Sequence, residues 1–445
     1  MSDDASPRNA TPSGAPKTRR RGPLRGATRP PGDRGFSHRA LALGLLTVGD
    51  TVIDGLSVDA GVRQTAHACR LLGARVVETA PGRWTVSGTG VGTLLKPREK
   101  LEFGTSRTGS RLMIGVIAGH PVTASFDGAP ALRARSMRRL LEPLVLMGAE
   151  VLSSDDGRLP LTLKGAEDPA PIEYQMPIAS PQLKSAVLLA GLNSPGRLDV
   201  IEKEACSDQM ERMLHVFGAD LDIAVLEGGG RKLSLKGRPR LRPCHLAAPA
   251  DPALAAFPIV AALITPGSDI VVEDVLASPW RAGLIETLRA MGASIEMTQT
   301  RAAGGEQAAD LGVRHGALRG LDVSAARAAA MGGDCVALAI AAAFADGETV
   351  LRGVGGAGWA APLAAGLRAC GLECALSDGD LHLRGRGRPA GGAELATAGD
   401  WRLALGFMVL GLSSERPVAI ADGDIVEAAY PGFRLGLAAL GAELE

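Results

Sequence analysis

Small polar residues and arginines recur where apolar helices are predicted to begin. The helix bodies that follow, such as 186–192 and 336–343, are apolar nearly all round, as is typical of helices buried inside a domain. A helix N-terminus exposes unpaired N–H groups and about half a positive charge, so several starts close together bind phosphate or carboxylate. The six starts are Ser37-His38-Arg39, 105–111, Ser180-Pro181-Gln182, Asp251-Pro252, Gly333-Asp334 and Asp400-Trp401-Arg402.

For any single start, capping of the helix by Ser, Thr or Asp is the simpler interpretation. Arg39, Arg111 and Arg402, however, add positive charge that capping does not need. Three starts fall in each half of the chain. The sequence therefore predicts that an anionic ligand binds between the halves.

An internal repeat predicts the elements that hold these starts. A helical run, a glycine and a strand-like run recur in that order, and successive glycines are 70 to 79 residues apart. In each copy the glycine is expected to take the left-handed conformation that ends a helix. The six glycines are Gly73, Gly148, Gly218, Gly292, Gly371 and Gly441.

Composition limits the kinds of partner. The 445 residues are 46% hydrophobic and 22% charged, with 48 basic and 48 acidic side chains. This balance favours a soluble globular protein with a small-molecule ligand over nucleic acid or a membrane surface. The first 25 residues have no apolar signal stretch, and the six scattered cysteines suit reduced thiols. We expect a cytoplasmic protein without a metal or another cofactor.

Four stretches carry a resemblance to a known family. They are PGDRGFSHR at 31–39, EFGTSRTG at 102–109, MPIASPQLKSAVLLAGL at 176–192 and GDWRLAL at 399–405. The chain after its basic tail resembles 5-enolpyruvylshikimate-3-phosphate synthase, which joins phosphoenolpyruvate to shikimate 3-phosphate. The resemblance implies an α/β fold, a two-domain inverse α/β barrel of six βαβαββ-like repeats with three in each domain. The implied division is a disordered basic tail at 1–24, domain one at 25–33 plus 250–445, and domain two at 34–249.

The resemblance also implies ligand contacts. Arg34, Gly35, Arg39, Ser180, Pro181 and Gln182 match positions on the shikimate 3-phosphate side. Arg107, Arg135 and Arg402 match positions beside phosphoenolpyruvate, and a guanidinium suits its carboxylate and phosphate because it pairs bidentately with both. For Arg135 and Arg402 a surface ion pair is the alternative. The family further implies a monomer.

Several residues that differ from the family pattern stand at positions that bind the ligands or take part in the reaction. Arg34 replaces a lysine, so it offers charge but not a lysine's proton transfer, and Gly35 replaces a ligand-binding serine. Thr105 replaces an asparagine, and Arg107 replaces a small residue, so its side chain is expected to crowd the phosphoenolpyruvate subsite. Trp401 replaces a histidine.

The positions for general base and acid are also changed. Gly333 stands where the family has its general-base aspartate, and Asp334 follows one residue later, which rotates a side chain by roughly 100° in a helix. Asp334 is therefore expected to act as base only on a shifted backbone, and helix capping is the simpler reading. The family's proton-donor loop is replaced by 354–362, which has no ionisable side chain.

Two functions stay open. The first is the enolpyruvyl transferase of aromatic amino acid biosynthesis, with Asp334 and Arg34 as candidate catalytic residues and full activity in doubt. The second is a diverged, non-catalytic or re-purposed relative that binds a small phosphorylated or carboxylated molecule. A related transferase acting on a UDP-sugar is set aside because 127–139 has no cysteine, and nucleotide enzymes because no Walker-type loop occurs.

Overall fold

The computed structural model describes residues 17–20 and 22–444. Strands and helices alternate along this part of the chain. The strands are β1 Lys17–Arg20, β2 Arg25–Thr28, β3 Gly49–Asp54, β4 Arg75–Ala80, β5 Arg83–Gly88, β6 Leu101–Glu102, β7 Thr123–Asp127, β8 Glu150–Asp155, β9 Arg158–Lys164, β10 Glu173–Gln175, β11 Arg197–Glu202, β12 Leu221–Val225, β13 Arg231–Lys236, β14 His245–Ala247, β15 Asp269–Leu276, β16 Ser294–Ala303, β17 Glu306–Arg314, β18 Asp322–Val323, β19 Glu348–Leu351, β20 Glu373–Ser377, β21 Asp380–Arg384, β22 Glu394–Leu395, β23 Val418–Ile420 and β24 Ala442–Leu444.

The helices are mostly short, and the more apolar ones are buried. They are α1 Arg34–Leu45, α2 Ala60–Leu71, α3 Arg107–Ala118, α4 Pro130–Arg133, α5 Arg138–Leu146, α6 Pro181–Gly191, α7 Gln209–Val216, α8 Pro252–Ile264, α9 Gly283–Ala290, α10 Ala325–Met331, α11 Cys335–Ala342, α12 Ala360–Ala369, α13 Trp401–Ser413, α14 Asp424–Ala429 and α15 Phe433–Ala439. Single 3-10 turns lie at Glu227–Gly229, Pro279–Arg281 and Gly332–Asp334.

The strands form six four-stranded sheets, as the repeat predicts. In the sheet β6-β7-β9-β8, for example, the first pair is parallel and the other two pairs are antiparallel. Three sheets are completed by strands distant in sequence: β14 pairs with β3, with His245 opposite Val52, β2 pairs with β15, with Arg25 opposite Asp269, and β1 pairs with β23 and β24. The predicted fold of six repeats is confirmed.

The prediction of a disordered tail is wrong for Lys17–Arg20. These residues form β1, which lies between β23 and β24 and pairs antiparallel with both. Without β1, the facing N–H and C=O groups of those two strands would lack partners. The polar composition of the segment hid this role. The prediction is also wrong at the end of the tail, where Leu24 is buried in the core of domain one, while residues 1–16 and 21 lie outside the described residues.

All six repeat glycines have positive φ, between +79° and +108°, so the predicted left-handed helix ends are confirmed. The predicted helix starts agree with the structure at some positions and differ at others. α1 begins at Arg34 with Asp33 as its cap, three residues before the predicted Ser37. Ser106, Ser180, Asp251 and Asp400 cap their helices, because each side chain accepts a backbone N–H from the first turn.

Buried apolar side chains form two cores. One contains residues from 36 to 248, and the other contains Leu24 and residues from 254 to 440. The chain crosses between them twice, and the crossings pair with each other through Asp33 N–H to Pro249 O at 2.7 Å and Asp251 N–H to Pro31 O at 2.9 Å. On this basis we propose the division into domain two at 34–249 and domain one at 25–33 plus 250–445.

One described segment, Ala325–Ala342, is long and apolar enough to span a membrane by length and composition. It is not one continuous helix, because Gly332 has φ +56° between α10 and α11. Its second half, α11, is buried throughout in the core of domain one. The segment therefore has the character of a core helix.

The hairpin between β16 and β17 reaches from domain one onto domain two. A Cβ added at Gly304 would lie 2.4 Å from the Phe36 ring, and one at Gly305 would lie 2.8 Å from the Val216 side chain. Both glycines have positive φ, which favours glycine in this tight turn. The hairpin tip places Glu306, only 3% exposed, at the contact between the domains.

Glu306 is expected to make stability depend on pH. Burial raises its pKa to about 7, Asp208 and Asp33 add to the rise, and Arg212 and Arg39 oppose it. The folded state thus keeps a proton that the unfolded chain releases, so stability falls as the pH rises from about 4.5 to 7, by on the order of 3 kcal/mol.

The test is urea unfolding at pH 5 and pH 7.5 of the wild type and of Glu306→Gln. The variant is expected to lose most of the difference in unfolding free energy between the two pH values. Glu296→Gln, which changes an exposed carboxylate on the same hairpin, is the control. An unchanged pH dependence in Glu306→Gln would show that this carboxyl does not titrate in the folded protein.

Candidate functional site

Five of the six helix starts meet between the domains. The Arg34 side chain at the start of α1 donates from Nε to Asp251, the cap of α8, at 3.0 Å, and its guanidinium lies over the Trp401 ring of α13 at 4.7 Å. Arg281 connects Asp251 to Asp334 at the start of α11, with distances of 3.6 Å and 3.9 Å. Charge from α3 also reaches this cleft, as described below for Arg107.

Arg39 is buried on the domain-two side of the cleft. Its Nη1 donates to Gly35 O and to Gln209 Oε1, both at 2.9 Å, and its Nη2 donates to Ser185 Oγ at 3.1 Å. Its Nε is buried without a partner among the described residues. Arg39 is therefore held rigidly and still has one unused donor.

The residues around Arg39 explain what Gly35 does. A Cβ at Gly35 would lie 3.1 Å from Gln209 Oε1 and 3.3 Å from Arg39 Nη1. The space that a serine side chain would need is thus narrowed by the Arg39–Gln209 hydrogen bond. Glycine at position 35 is therefore compatible with the Arg39–Gln209 hydrogen bond, whereas a serine side chain would crowd it.

The start of α6 lies next to this group. Ser180 accepts the Leu183 N–H at 3.4 Å, and Ser180, Pro181 and Gln182 are all half-buried. Ser185, one turn further along α6, links the helix to Arg39. Arg39 and the start of α6 therefore form one wall.

Asp334 does not cap its helix, so the capping interpretation is wrong. No cap hydrogen bond from the Asp334 side chain to α11 is formed, and the chain enters α11 through a 3-10 turn after Gly332, where φ is +56°. From the sequence, Asp334 is expected to act as base only on a shifted backbone, and this irregular entry into α11 is consistent with that requirement. Its carboxylate lies 3.9 Å from Arg281 and its side chain is 16% exposed.

The electrostatics of Asp334 suit a base. Burial raises the pKa of Asp334, Arg281 opposes the rise, and Asp251 adds to it. Burial also acts on Asp251, but there Arg34 and Arg281 prevail and the net pKa is lowered. Asp251 therefore stays charged as an anchor for Arg34, while Asp334 is the carboxyl that exchanges a proton more readily.

Four arginines, three from domain two and Arg402 from domain one, lie close enough for their charges to influence one another. Burial lowers the pKa of Arg107, and the charges of Arg135 and Arg402 lower it further; Arg111 is affected by burial, Arg107 and Arg135. Within 17–20 and 22–444, Arg402 is the member with an ion pair, to Asp400 at 2.9 Å. Such an excess of positive charge is a site for an anion carrying more than one negative charge.

Replacing Arg107 with Ala is expected to have opposite effects on two quantities. The thermal midpoint of the ligand-free protein rises, because one of four repelling charges is removed. The affinity for inorganic phosphate falls about tenfold, because a charge-assisted hydrogen bond is lost. Thermal unfolding over a phosphate titration measures both.

The control for this prediction is Arg139→Ala, which removes an exposed arginine from α5. It should leave the phosphate response within twofold of the wild type. A wild-type phosphate response in Arg107→Ala would mean that Arg107 does not face the anion site.

The segment 354–362 contributes no side chain that ionises. Its Trp359 is 7% exposed and packs in the core of domain one, and α12 begins directly afterwards. A proton donor is therefore not supplied from here. Nor does any group of three or more His, Cys, Asp or Glu residues in the described chain have a metal-binding arrangement.

Sequence reasoning missed two residues of the site. Gln209 begins α7 and accepts from Arg39, although 170 positions separate them. Arg281 ends a 3-10 turn and approaches both Asp251 and Asp334. Neither residue lies in a motif or at a predicted helix start, so only the tertiary structure reveals them.

Comparison with known proteins gives consistent matches over nearly the whole chain. The family model of EPSP synthase (3-phosphoshikimate 1-carboxyvinyltransferase) matches residues 18–437. A 3-phosphoshikimate 1-carboxyvinyltransferase of Methylorubrum extorquens is 48% identical, with 100% of this chain and 99% of that protein covered. One of Methylobacterium sp. strain 4-46 is 50% identical, with 96% and 98% covered.

The solved structures agree. EPSP synthase from Acinetobacter baumannii superposes with a TM-score of 0.85 at 32% identity, over 97% of this chain and 100% of that one. The resemblance stated from the four sequence stretches is thus confirmed over both domains. Together, the six-sheet fold, the family match and the relatives establish that this chain belongs to the EPSP synthase family.

Proposed function

We propose that this chain transfers the enolpyruvyl group of phosphoenolpyruvate to shikimate 3-phosphate, with Asp334 as the base in place of Gly333. The observation that carries the proposal is the position of the Asp334 carboxylate, which lies in the cleft beside Arg281 rather than on its own helix. The names of the relatives, each a 3-phosphoshikimate 1-carboxyvinyltransferase, support the reaction type.

Shikimate 3-phosphate is assigned to the wall formed by Arg39 and the start of α6. The Nε–H group of Arg39, which has no partner among the described residues, can donate to a ligand oxygen. Ser180, Pro181 and Gln182 are half-buried at the start of α6. Backbone N–H groups in the first turn of α6 add a partial positive charge for a phosphate. Arg34 and Gly35 complete this side, and the Arg34 guanidinium also lies over Trp401, next to the side assigned to phosphoenolpyruvate.

Phosphoenolpyruvate is assigned to the four arginines. Its carboxylate and phosphate carry multiple negative charge, whereas among the described residues Arg107, Arg111 and Arg135 have no ion pair and Arg402 has one, to Asp400. Arg107 was expected from the sequence to crowd this subsite. In the proposed site it instead adds a fourth cation.

The reaction then runs in two steps. In the first, Asp334 takes the proton of the 5-hydroxyl, the hydroxyl oxygen bonds to C2 of phosphoenolpyruvate, and C3 gains a proton. Because 354–362 has no ionisable side chain, we assign the delivery of this proton to C3 to Asp334 as well, so that the carboxylate is restored. In the second, Asp334 removes a proton from C3, the bond from C2 to the phosphate oxygen breaks, and the proton leaves with the phosphate, which restores both the vinyl group and the carboxylate.

Arg34 contributes charge and not proton transfer. A guanidinium does not lose its proton in proteins, and Asp251 at 3.0 Å together with the Trp401 ring fixes its orientation. It stabilises negative charge as the phosphate leaves. The lack of a lysine at this position is expected to slow the reaction without preventing it.

We also propose that the protein works in the cytoplasm as a monomer, as the family resemblance implies. The two domains complete the site within one chain, which supports this assignment. Its ligands are then the two small anions alone.

The test is to incubate the purified chain with both substrates and to measure phosphate release, alongside calorimetry with shikimate 3-phosphate. We expect release that requires both substrates. Binding of shikimate 3-phosphate without release would favour a diverged binding protein instead, and failure of that ligand to bind would exclude both functions.

A further inference from the structure

Trp401 lies at the start of α13, where two cationic side chains meet. The guanidinium of Arg34 lies over the indole ring at 4.7 Å from its centroid, and that of Arg402 lies over it at 5.3 Å. The edge of the ring contacts Phe257, with ring centroids 6.2 Å apart and an interplanar angle of 69°. The indole is thus fixed by the core of domain one and presents its face to arginines from both domains.

Each arginine is held at a second point by a carboxylate. Arg34 Nε donates to Asp251 at 3.0 Å, and Arg402 Nη2 donates to Asp400 at 2.9 Å. Arg402 Nε is buried without a partner among the described residues. Each guanidinium is therefore oriented by a carboxylate at its edge and by the indole ring at its face. Arg402 also retains a buried N–H donor for a ligand.

Gly333 makes room for this arrangement. A Cβ at Gly333 would come within 2.9 Å of Arg402 Cδ and 3.2 Å of its Nε. A larger residue at position 333 would push Arg402 away from its present place beside Trp401. Gly333, Arg34 and Trp401 are all departures from the family pattern, and through Trp401 and Arg402 they form one connected cluster.

We propose that Trp401 is a positioning residue, which holds Arg34 and Arg402 as a two-arginine clamp for one anionic group of the substrate in the cleft. An indole has the strongest attraction for cations of the aromatic side chains, and a histidine at this place would lack that face or, when protonated, would repel both arginines. In the clamp, Arg34 stands in place of a flexible lysine, and the Trp401 ring orients its guanidinium beside that of Arg402, which matches the family. The proposal rests on the proposed function for the identity of the anion, phosphoenolpyruvate.

The test compares Trp401→Leu with Trp401→Phe in calorimetry with phosphoenolpyruvate and, where turnover is present, in KM and kcat. Trp401→Leu is expected to bind phosphoenolpyruvate about tenfold more weakly, because the cation–π contacts are lost. Trp401→Phe keeps an aromatic face and should stay within about threefold of the wild type. The loss should appear in KM more than in kcat, because the clamp is formed before the chemical steps.

Gly333→Ala reaches the same clamp without changing the indole. Its methyl group is expected to displace Arg402 and to weaken binding of phosphoenolpyruvate severalfold. Trp280→Leu is the control, since it removes a different arginine–indole contact, Arg231 over Trp280 at 5.9 Å. It should leave the affinity within twofold.

The outcomes separate this proposal from the proposed function. A wild type that binds phosphoenolpyruvate but releases no phosphate would contradict the proposed function. The affinities of the variants for phosphoenolpyruvate would still test the clamp in that case. Wild-type affinity in Trp401→Leu, or equal losses in the Leu and Phe variants, would overturn the clamp. So would a wild type that binds neither phosphoenolpyruvate nor inorganic phosphate.

Discussion

Replacing Asp334 with Asn is expected to lower the rate of phosphate release by roughly 10²- to 10⁴-fold, the contribution of a well-placed proton-transfer group. The variant keeps the size of the side chain and removes its ability to accept a proton. Binding of both substrates should stay within a few-fold of the wild type. Steady-state phosphate release and calorimetry measure the two effects separately.

The pH profile gives the same prediction a second readout. Burial raises the pKa of Asp334 above its usual value, and the carboxylate form is the base. The wild-type rate should therefore rise with pH through that raised pKa and then level off, and Asp334→Asn should lose this step. Asp322→Asn, at an exposed carboxylate paired with Arg352, is the control. A full rate in Asp334→Asn would exclude the assigned role.

Replacing Lys184 with Met is expected to destabilise the fold by about 3–5 kcal/mol, because it leaves buried carboxylates uncompensated. Lys184 is fully buried in α6, with Nζ 2.9 Å from Glu202 and 2.6 Å from Glu211. Arg231 pairs with Glu202 at 2.7 Å from the other side. Burial raises the pKa of Glu211 even with Lys184 present, so removal of the lysine should force a proton onto this group.

The matched control is Lys232→Met. Lys232 also lies between two carboxylates, Glu173 at 2.9 Å and Asp199 at 2.8 Å, but nearer to solvent. Its loss should cost at most about 1 kcal/mol. Urea unfolding of the double variant Lys184→Met/Glu211→Gln gives a further test. Its loss of unfolding free energy should be smaller than the sum of the losses in the two single variants. Equal effects of the two lysine changes would contradict the assigned importance of burial.

The sequence was most informative where local structure and burial follow from a few residues. Glycine is the residue that takes positive φ most readily, so Gly73 and its five equivalents revealed the repeat, and all have that conformation. Helices apolar on every side, such as α11, are typical of helices buried inside a domain. From these features and the four motif stretches, the six-repeat fold and the family could be predicted.

Features that depend on distant partners could not be predicted in this way. The polar segment Lys17–Arg20 becomes a strand because β23 and β24 leave a gap for it. Gln209 joins the site through Arg39, and Glu306 reaches domain two on a hairpin. In each case the contacting residues are roughly ninety or more positions away in the sequence.

The departures from the family pattern illustrate the same limit. Read along the chain, Arg34, Gly333 and Trp401 are three separate losses. In the folded protein Arg34 and Arg402 share the Trp401 ring, and Gly333 leaves the space for Arg402. Asp334 likewise lies at the end of a 3-10 turn, Gly332–Asp334, and approaches Arg281 rather than capping α11.

The central claim is that this cleft forms the enolpyruvyl ether with Asp334 as its base. The most direct test follows phosphoenolpyruvate labelled with ¹³C at C3 by NMR, in the presence of shikimate 3-phosphate, for the wild type and Asp334→Asn. We predict that the vinyl signal of the ether product grows with the wild type and is nearly absent with the variant. Equal product formation by both proteins, or no product from a wild type that binds both substrates, would contradict the claim.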